Sequence, residues 1–192
     1  MDYINLLYKK LKSSGSNNYL KRFNLSIGVA VTCIEIAKSN NVNLDFDKLF
    51  IAGLLHDYSK YTSISEYERL LDKYCLDKGV LKENKKVLHG ICGYLVVLDE
   101  LNISDEDILN AIKYHVFGND SMSVYEEIVY LSDFVEPNRT GDFYDNIRKY
   151  AYNDYKKAIA IATKELIDYL ESLNESIHPN AYLTFESYKK FL

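Results

Sequence analysis

Apolar residues return with a helical period along nearly the whole chain, and no stretch alternates around an Asn-Gly or Asp-Gly turn. The pattern predicts an all-α fold. A short helix is expected over 2–12, with Ile4, Leu7 and Leu11 on one face, broken by Ser13-Ser14-Gly15-Ser16. From about 18 to 38 a longer helix carries two apolar stripes: Leu20, Phe23, Ile27, Val31 and Ile34 on one side, Leu25, Val29, Cys33 and Ile36 on another. A helix apolar on two sides is expected to be packed on both, in the middle of the domain. Asp45 or Asp47 caps a third helix, which runs through Leu49, Ala52, Leu54 and Leu55 into His56-Asp57.

Ser63-Ile64-Ser65-Glu66 has capping-box spacing and opens a helix ending near Cys75, before a polar linker over 77–86. One helix is then expected from Val87 through Ile91, Leu95 and Leu98 to Leu101, with His89 near its start. Ser104 and the acidic turn Asp105-Glu106-Asp107 begin another that ends at Tyr114-His115. Ser123 to Glu126 is a second capping box, and its helix carries Asp133 and stops at Pro137. Further helices are expected near 143–152, over 154–173 and at 184–191, with His178-Pro179 as the interruption before the last. The whole reads as a single domain over 1–192, its core about 18–173 and the segment 174–192 packing on it.

Composition narrows the class. Hydrophobic content of 47% with 27% charged residues is that of a soluble globular protein, with no membrane-spanning run and no signal-peptide pattern, so a cytoplasmic setting is expected. A net charge of −5 and the lack of a long basic block argue against a nucleic-acid partner while leaving room for a local phosphate pocket. Cys33, Cys75 and Cys92 are odd in number and widely spaced in apolar patterns, which predicts buried free thiols.

Candidate chemistry gathers at helix ends. His56, Asp57, His89, His115 and Asp133 supply three imidazoles and two carboxylates from four helices. Singly, each histidine is more often a structural residue. Together they form a mixed nitrogen and oxygen set that suits Fe, Mn, Co or Zn better than Mg or Ca.

In this order the motifs resemble those of the HD-domain metal-dependent phosphohydrolases. The stretches Ala52-Gly53-Leu54-Leu55-His56-Asp57-Tyr58-Ser59-Lys60, Leu88-His89-Gly90, Tyr114-His115, Met122-Ser123, Asp133-Phe134-Val135-Glu136-Pro137-Asn138-Arg139 and Ile177-His178-Pro179 are similar to one subfamily, the bacterial symmetrically cleaving diadenosine tetraphosphatases. The resemblance runs from about residue 20 to the C-terminus and implies an HD-type helical bundle. It implies two metal ions, divalent or mixed-valence and iron before manganese, cobalt or zinc. His56, Asp57 and Asp133 would hold one, and Asp57, His89 and His115 the other. A hydroxide activated between them would split the polyphosphate into nucleoside diphosphates.

By the same resemblance Asp57 and Lys60 are the catalytic side chains, and Lys60, His89, His115, Arg139 and His178 bind the nucleotide substrate. The resemblance leaves the oligomeric state open, a homodimer included. The chain departs from the subfamily in one respect: Leu25 stands where a metal-binding histidine precedes the Gly-Val pair, here Gly28-Val29. Leucine cannot coordinate, and adjacent Asn24 points about 100° away around the helix. A weakened enzyme, or a nucleotide-binding regulator without turnover, is the alternative that this substitution raises. A helical interaction protein with no small-molecule site is the other.

Overall fold

The computed structural model describes all 192 residues as eleven α-helices with two short 3-10 turns and no strand. The helices are α1 (Tyr3–Ser13), α2 (Tyr19–Ser39), α3 (Phe46–Leu55), α4 (Ile64–Lys73), α5 (Lys85–Ile91), α6 (Gly93–Leu101), α7 (Glu106–Tyr114), α8 (Val124–Val135), α9 (Asp142–Ala151), α10 (Tyr155–Ser172) and α11 (Pro179–Tyr188). No helix is long and apolar enough to cross a membrane.

Polar side chains set where most of these helices begin. Asp45 accepts from the backbone N–H groups of Asp47 and Lys48, Ser63 from Glu66, Asp105 from Asp107 and Ile108, and Ser123 from Glu126. Each satisfies donors that the first turn leaves without partners. Around this frame α2 packs on α1, α3 and α8, while α7 packs on α3 and α8. Leu25, Val29, Cys33 and Ile36 of α2 join Leu49, Leu54 and Leu55 of α3 and Ile128, Val129 and Leu131 of α8 in one core. On the far side α10 packs on α8, α9 and α11. The Tyr130 hydroxyl and Thr163 Oγ1, 2.9 Å apart, join α8 to α10 inside that layer.

Several expectations are corrected. Only one stripe of α2 is buried throughout, since Leu20 and Val31 of the other are 50% and 45% exposed. Its middle residues, Phe23, Ile27 and Ile34, are partly buried against the core. Cys75 is exposed because the chain turns there with a φ of +53°, whereas Cys33 and Cys92 are buried and all three are free. Part of the 77–86 linker winds into a 3-10 turn, Lys78–Lys82, capped by Asp77. Asp105 rather than Ser104 caps α7. The last helix starts at Pro179 rather than near 184, because His178 caps it and Pro179 fits its first position.

The expected single helix over 87–101 is two helices, hinged at Cys92. The Ser59 hydroxyl donates to the His89 carbonyl at 3.2 Å, and a Cβ on Gly93 would lie 2.5 Å from Ser59 Oγ. A side chain from a distant segment has taken a carbonyl that the continuing helix would have used, and glycine leaves it room.

The crossing of α2 and α3 is equally tight. A Cβ on Gly53 would fall 2.9 Å from Cys33 Sγ and 3.0 Å from the Ala30 Cα. Gly53→Ala must push two helix backbones apart, so it is expected to lower stability by about 1–3 kcal/mol. Chemical denaturation measures this, and an unchanged midpoint would contradict the packing described.

Candidate active site

Two histidines are held by the same local device. His56 ends α3 and His115 ends α7, and each turns its ring back so that Nδ1–H donates to the carbonyl three residues earlier, Gly53 O at 2.7 Å and Ile112 O at 2.6 Å. That bond fixes the tautomer and leaves Nε2 with a free lone pair aimed away from the helix. Both rings are buried and meet edge to face, 5.0 Å between centroids. His89 on α5 adds a third ring, its Nε2 3.3 Å from His115 Nε2 and 2.9 Å from Lys60 Nζ.

Asp57 is the hub of this cluster. Its Oδ1 lies 3.1 Å from His89 Nε2 and 3.9 Å from His115 Nε2, and its Oδ2 lies 3.4 Å from His56 Nε2. Lys60 Nζ is 3.5 Å from Oδ1, and Arg22 Nη1 donates to Oδ2 at 2.5 Å. Asp133, from α8, reaches to 3.8 Å of His56 Nε2 while Arg139 clasps it, Nη2 to Oδ1 at 2.6 Å and Nε to the carbonyl at 2.9 Å.

The charges follow from these contacts. Burial alone would raise the Asp57 carboxyl, but the surrounding imidazoles and Lys60 hold it well below the usual range. Asp133 is likewise lowered against its burial, chiefly by Arg139 and His56. Burial would lower His56, yet Asp57 and Asp133 outweigh it and raise the ring. Burial lowers His89, and burial with the neighbouring His56 and His89 pushes His115 down to about 3.

The donor chemistry fits a cation. His56 Nε2 and Asp57 Oδ1 are fully buried and have no hydrogen-bond partner. Such atoms are costly in a native interior unless something coordinates them. Donor atoms of His56, Asp57 and His115 lie within 4.8 Å of one another, and ligands at ~2.1 Å from a first-row ion stand roughly 3–4 Å apart.

The cluster opens into a cleft of about 450 Å³ lined by Lys60, Lys86, His89, His115, Asp133 and Arg139 at its polar end and by Phe134, Phe143, Tyr144, Leu166 and Tyr169 at its apolar end. Of the residues singled out in the sequence, His56, Asp57, His89, His115, Asp133, Lys60 and Arg139 are thus brought together. His178 stands apart: its ring stacks on Phe117 at 4.1 Å, its Nδ1 accepts from Asn180 N–H at 3.2 Å, and it does not line the cleft. These contacts engage one ring face and Nδ1 and leave Nε2–H and the other face without a partner.

Leu25 is 7% exposed and lies in the wall beside this centre, offering no donor. Two residues were missed. Arg22 sits three positions before Leu25, one turn along the same helix face, and that spacing was the available signal. Glu136, fully buried, fits against Gly28, where a Cβ would come 2.5 Å from its Oε2, and accepts from Asn138 N–H at 3.0 Å.

A family model described as HD domain matches residues 22–138. The chain belongs to the HD-domain family. The matched segment contains all five donors, from His56 to Asp133. Among HD-domain relatives, proteins named symmetrical bis(5'-nucleosyl)-tetraphosphatase are similar along most of the chain. The one from Bacillus subtilis is 32% identical over 164 residues, 85% of this chain and 87% of that protein. The one from Staphylococcus aureus is 36% identical over 133 residues, 69% of this chain and 68% of that protein. A crystal structure from Clostridium acetobutylicum, described as an HD superfamily hydrolase involved in NAD metabolism, superposes with a TM-score of 0.86 at 28% identity, covering 100% of this chain and 99% of that one.

Proposed function

We propose that this HD-domain protein is a metal-dependent hydrolase that cleaves diadenosine tetraphosphate, or a related dinucleoside polyphosphate, symmetrically into nucleoside diphosphates. The observation that carries the reading is the convergence of three buried imidazoles on one carboxylate, with His56 Nε2 and Asp57 Oδ1 left unpartnered, at the polar end of an aromatic-walled cleft. The names of the relatives point the same way.

In this reading His56, Asp57 and Asp133 would hold one metal ion and Asp57, His89 and His115 a second, with iron preferred to manganese, cobalt or zinc. Bound there, the metal supplies Lewis-acid neutralisation of phosphoryl charge and acidifies water. The chain's own residues do the rest. Asp57 stays ionised under all ordinary conditions, so it acts as a fixed anion and not as a proton donor. His115 stays neutral, keeping its Nε2 lone pair for coordination. Lys60 and Arg139 line the cleft as cations for the phosphates, Lys60 as a point charge beside His89 and Arg139 as a planar fork. Phe134, Phe143, Tyr144 and Tyr169 offer apolar faces on which a base stacks, and they exclude water from that end.

The binding-only alternative raised by Leu25 is not favoured, because the donors around Asp57 Oδ1 come from α3, α5 and α7 and none depends on residue 25. A cytoplasmic setting suits three cysteines that form no disulfide. Incubating the protein with iron or manganese and diadenosine tetraphosphate, then separating products by ion exchange, tests the activity. Adenosine diphosphate is expected as the sole nucleotide product. Triphosphate with monophosphate, or no product at any metal loading, would overturn the proposal.

A further inference from the structure

The donor cluster has a second opening. A groove of about 440 Å³ lies on its α2 side, lined by Asn18, Lys21, Arg22, Leu25, Lys60, Tyr61, Lys85, Lys86 and His89. It meets the aromatic cleft at Lys60, Lys86 and His89, the three residues that line both. The two lobes differ in chemistry. The first is walled by four aromatic rings and Leu166, whereas the second presents five cationic side chains, no carboxylate in its lining, and Tyr61 as its one aromatic residue.

We infer that this groove is a subsite for a polyphosphate chain and that recognition of the second nucleoside adds little, so that nucleoside 5'-tetraphosphates bearing a single nucleoside are also substrates. The inference rests on the hydrolase reading above and names the substrate class of that same site. Five cations in one groove are no background property of a chain with net charge −5. Lys21 and Lys85 belong to no ion pair of the chain, and Lys86 has only the exposed Glu175 at 3.0 Å. Their charge is therefore open to a ligand. Phosphate oxygens match such a row of ammonium and guanidinium donors. A purine finds only the ring of Tyr61 to stack on here, against the four rings that wall the other lobe.

A tetraphosphate with one nucleoside would lay its base against Phe143, Tyr144 and Tyr169 and its terminal diphosphate along Lys21, Lys85 and Lys86. Hydrolysis then forms one bond, from the water oxygen to the β-phosphorus, and breaks the bond from that phosphorus to the oxygen bridging it to the γ-phosphorus. The bridging oxygen leaves with the terminal half and the water protons pass to solvent and product, giving a nucleoside diphosphate and pyrophosphate.

The test compares diadenosine tetraphosphate with adenosine 5'-tetraphosphate on the metal-loaded protein, and repeats both on Lys21→Glu/Lys85→Glu. The two kcat/KM values are expected to agree within about tenfold, and the charge reversals to raise KM for both by about tenfold or more, the loss falling on KM rather than kcat. Cleavage of the dinucleotide alone overturns the inference and leaves the hydrolase reading standing, as does an unchanged KM in the variant. Cleavage of neither sinks that reading. The groove is then judged by calorimetric binding of inorganic tripolyphosphate, which the double variant must weaken about tenfold or the subsite is wrong.

Discussion

Replacing Asp57 by asparagine is expected to lower turnover by roughly 10³-fold or more, the scale set by removing one element of a preorganised electrostatic site, and to strip metal from the protein. No other residue faces so many partners. Five side chains approach its two oxygens, Arg22 at 2.5 Å, His89 at 3.1 Å, His56 at 3.4 Å, Lys60 at 3.5 Å and His115 at 3.9 Å. Asparagine keeps the shape but removes the charge that these groups surround. In chelated protein the variant should also lose stability, about 3 kcal/mol, since a buried ionic cluster broken at one partner leaves its cations uncompensated. That figure sits at the low end of such losses because Arg22 and Lys60, 24% and 28% exposed, can swing toward water.

The acid side gives an independent check. The folded-state pKa of Asp57 is depressed, so its contribution is present above the unfolded value of ~3.9 and is lost as pH falls through the lower folded value. Denaturation of chelated protein against pH should show that acid-side loss in the parent and a smaller one in the variant. An Asp57→Asn protein with near-parental turnover would remove the basis of the proposed site.

Much of this centre could be seen in the chain because its donors sit where helices stop. His56 and His115 each follow an apolar run whose last turn offers a carbonyl for Nδ1, a local arrangement that depends on sequence neighbours alone. Asp133, on the buried helix α8, stood out as a carboxylate beside Ile128, Leu131 and Val135. What stayed hidden depends on crossings between distant elements. Arg22 reads as an ordinary cation in the first turn of a helix, and only the close approach of α2 to α3 brings it to Asp57. The hinge at Cys92 comes from Ser59, whose hydroxyl reaches a carbonyl thirty residues ahead. The aromatic wall is assembled from α8, α9 and α10, so no periodicity links Phe134, Phe143, Tyr144 and Tyr169. His178 is a further case where local chemistry is plain: a histidine before proline is a good cap, and the fold uses its Nδ1 in that way.

Leu25→His is expected to raise the metal content of the purified protein, tightening metal binding by at least the ~10–100-fold that even an outer partner of a ligand contributes. On the side of the cluster nearest residue 25, both carboxylates are engaged by guanidinium groups, Asp57 Oδ2 by Arg22 and Asp133 Oδ1 by Arg139. The wall there is a buried leucine. The other donors, Asp57 Oδ1, His89 Nε2 and His115 Nε2, carry no guanidinium, and the one cation against them is the ammonium of Lys60, 2.9 Å from His89 Nε2, on a flexible stem that can withdraw. The parent should therefore fill the His89 and His115 position first and bind weakly at the position of His56 and Asp133. An imidazole at residue 25 would add a neutral donor to that weaker position and compete with Arg22 for it. Elemental analysis of parent and variant after equal metal exposure measures the difference, and cobalt substitution reports the added nitrogen ligand in the visible spectrum independently of turnover. Equal metal content with an active parent would mean that the side of the cluster next to Leu25 plays no part in holding metal. The catalytic set would then shrink to Asp57, His89 and His115.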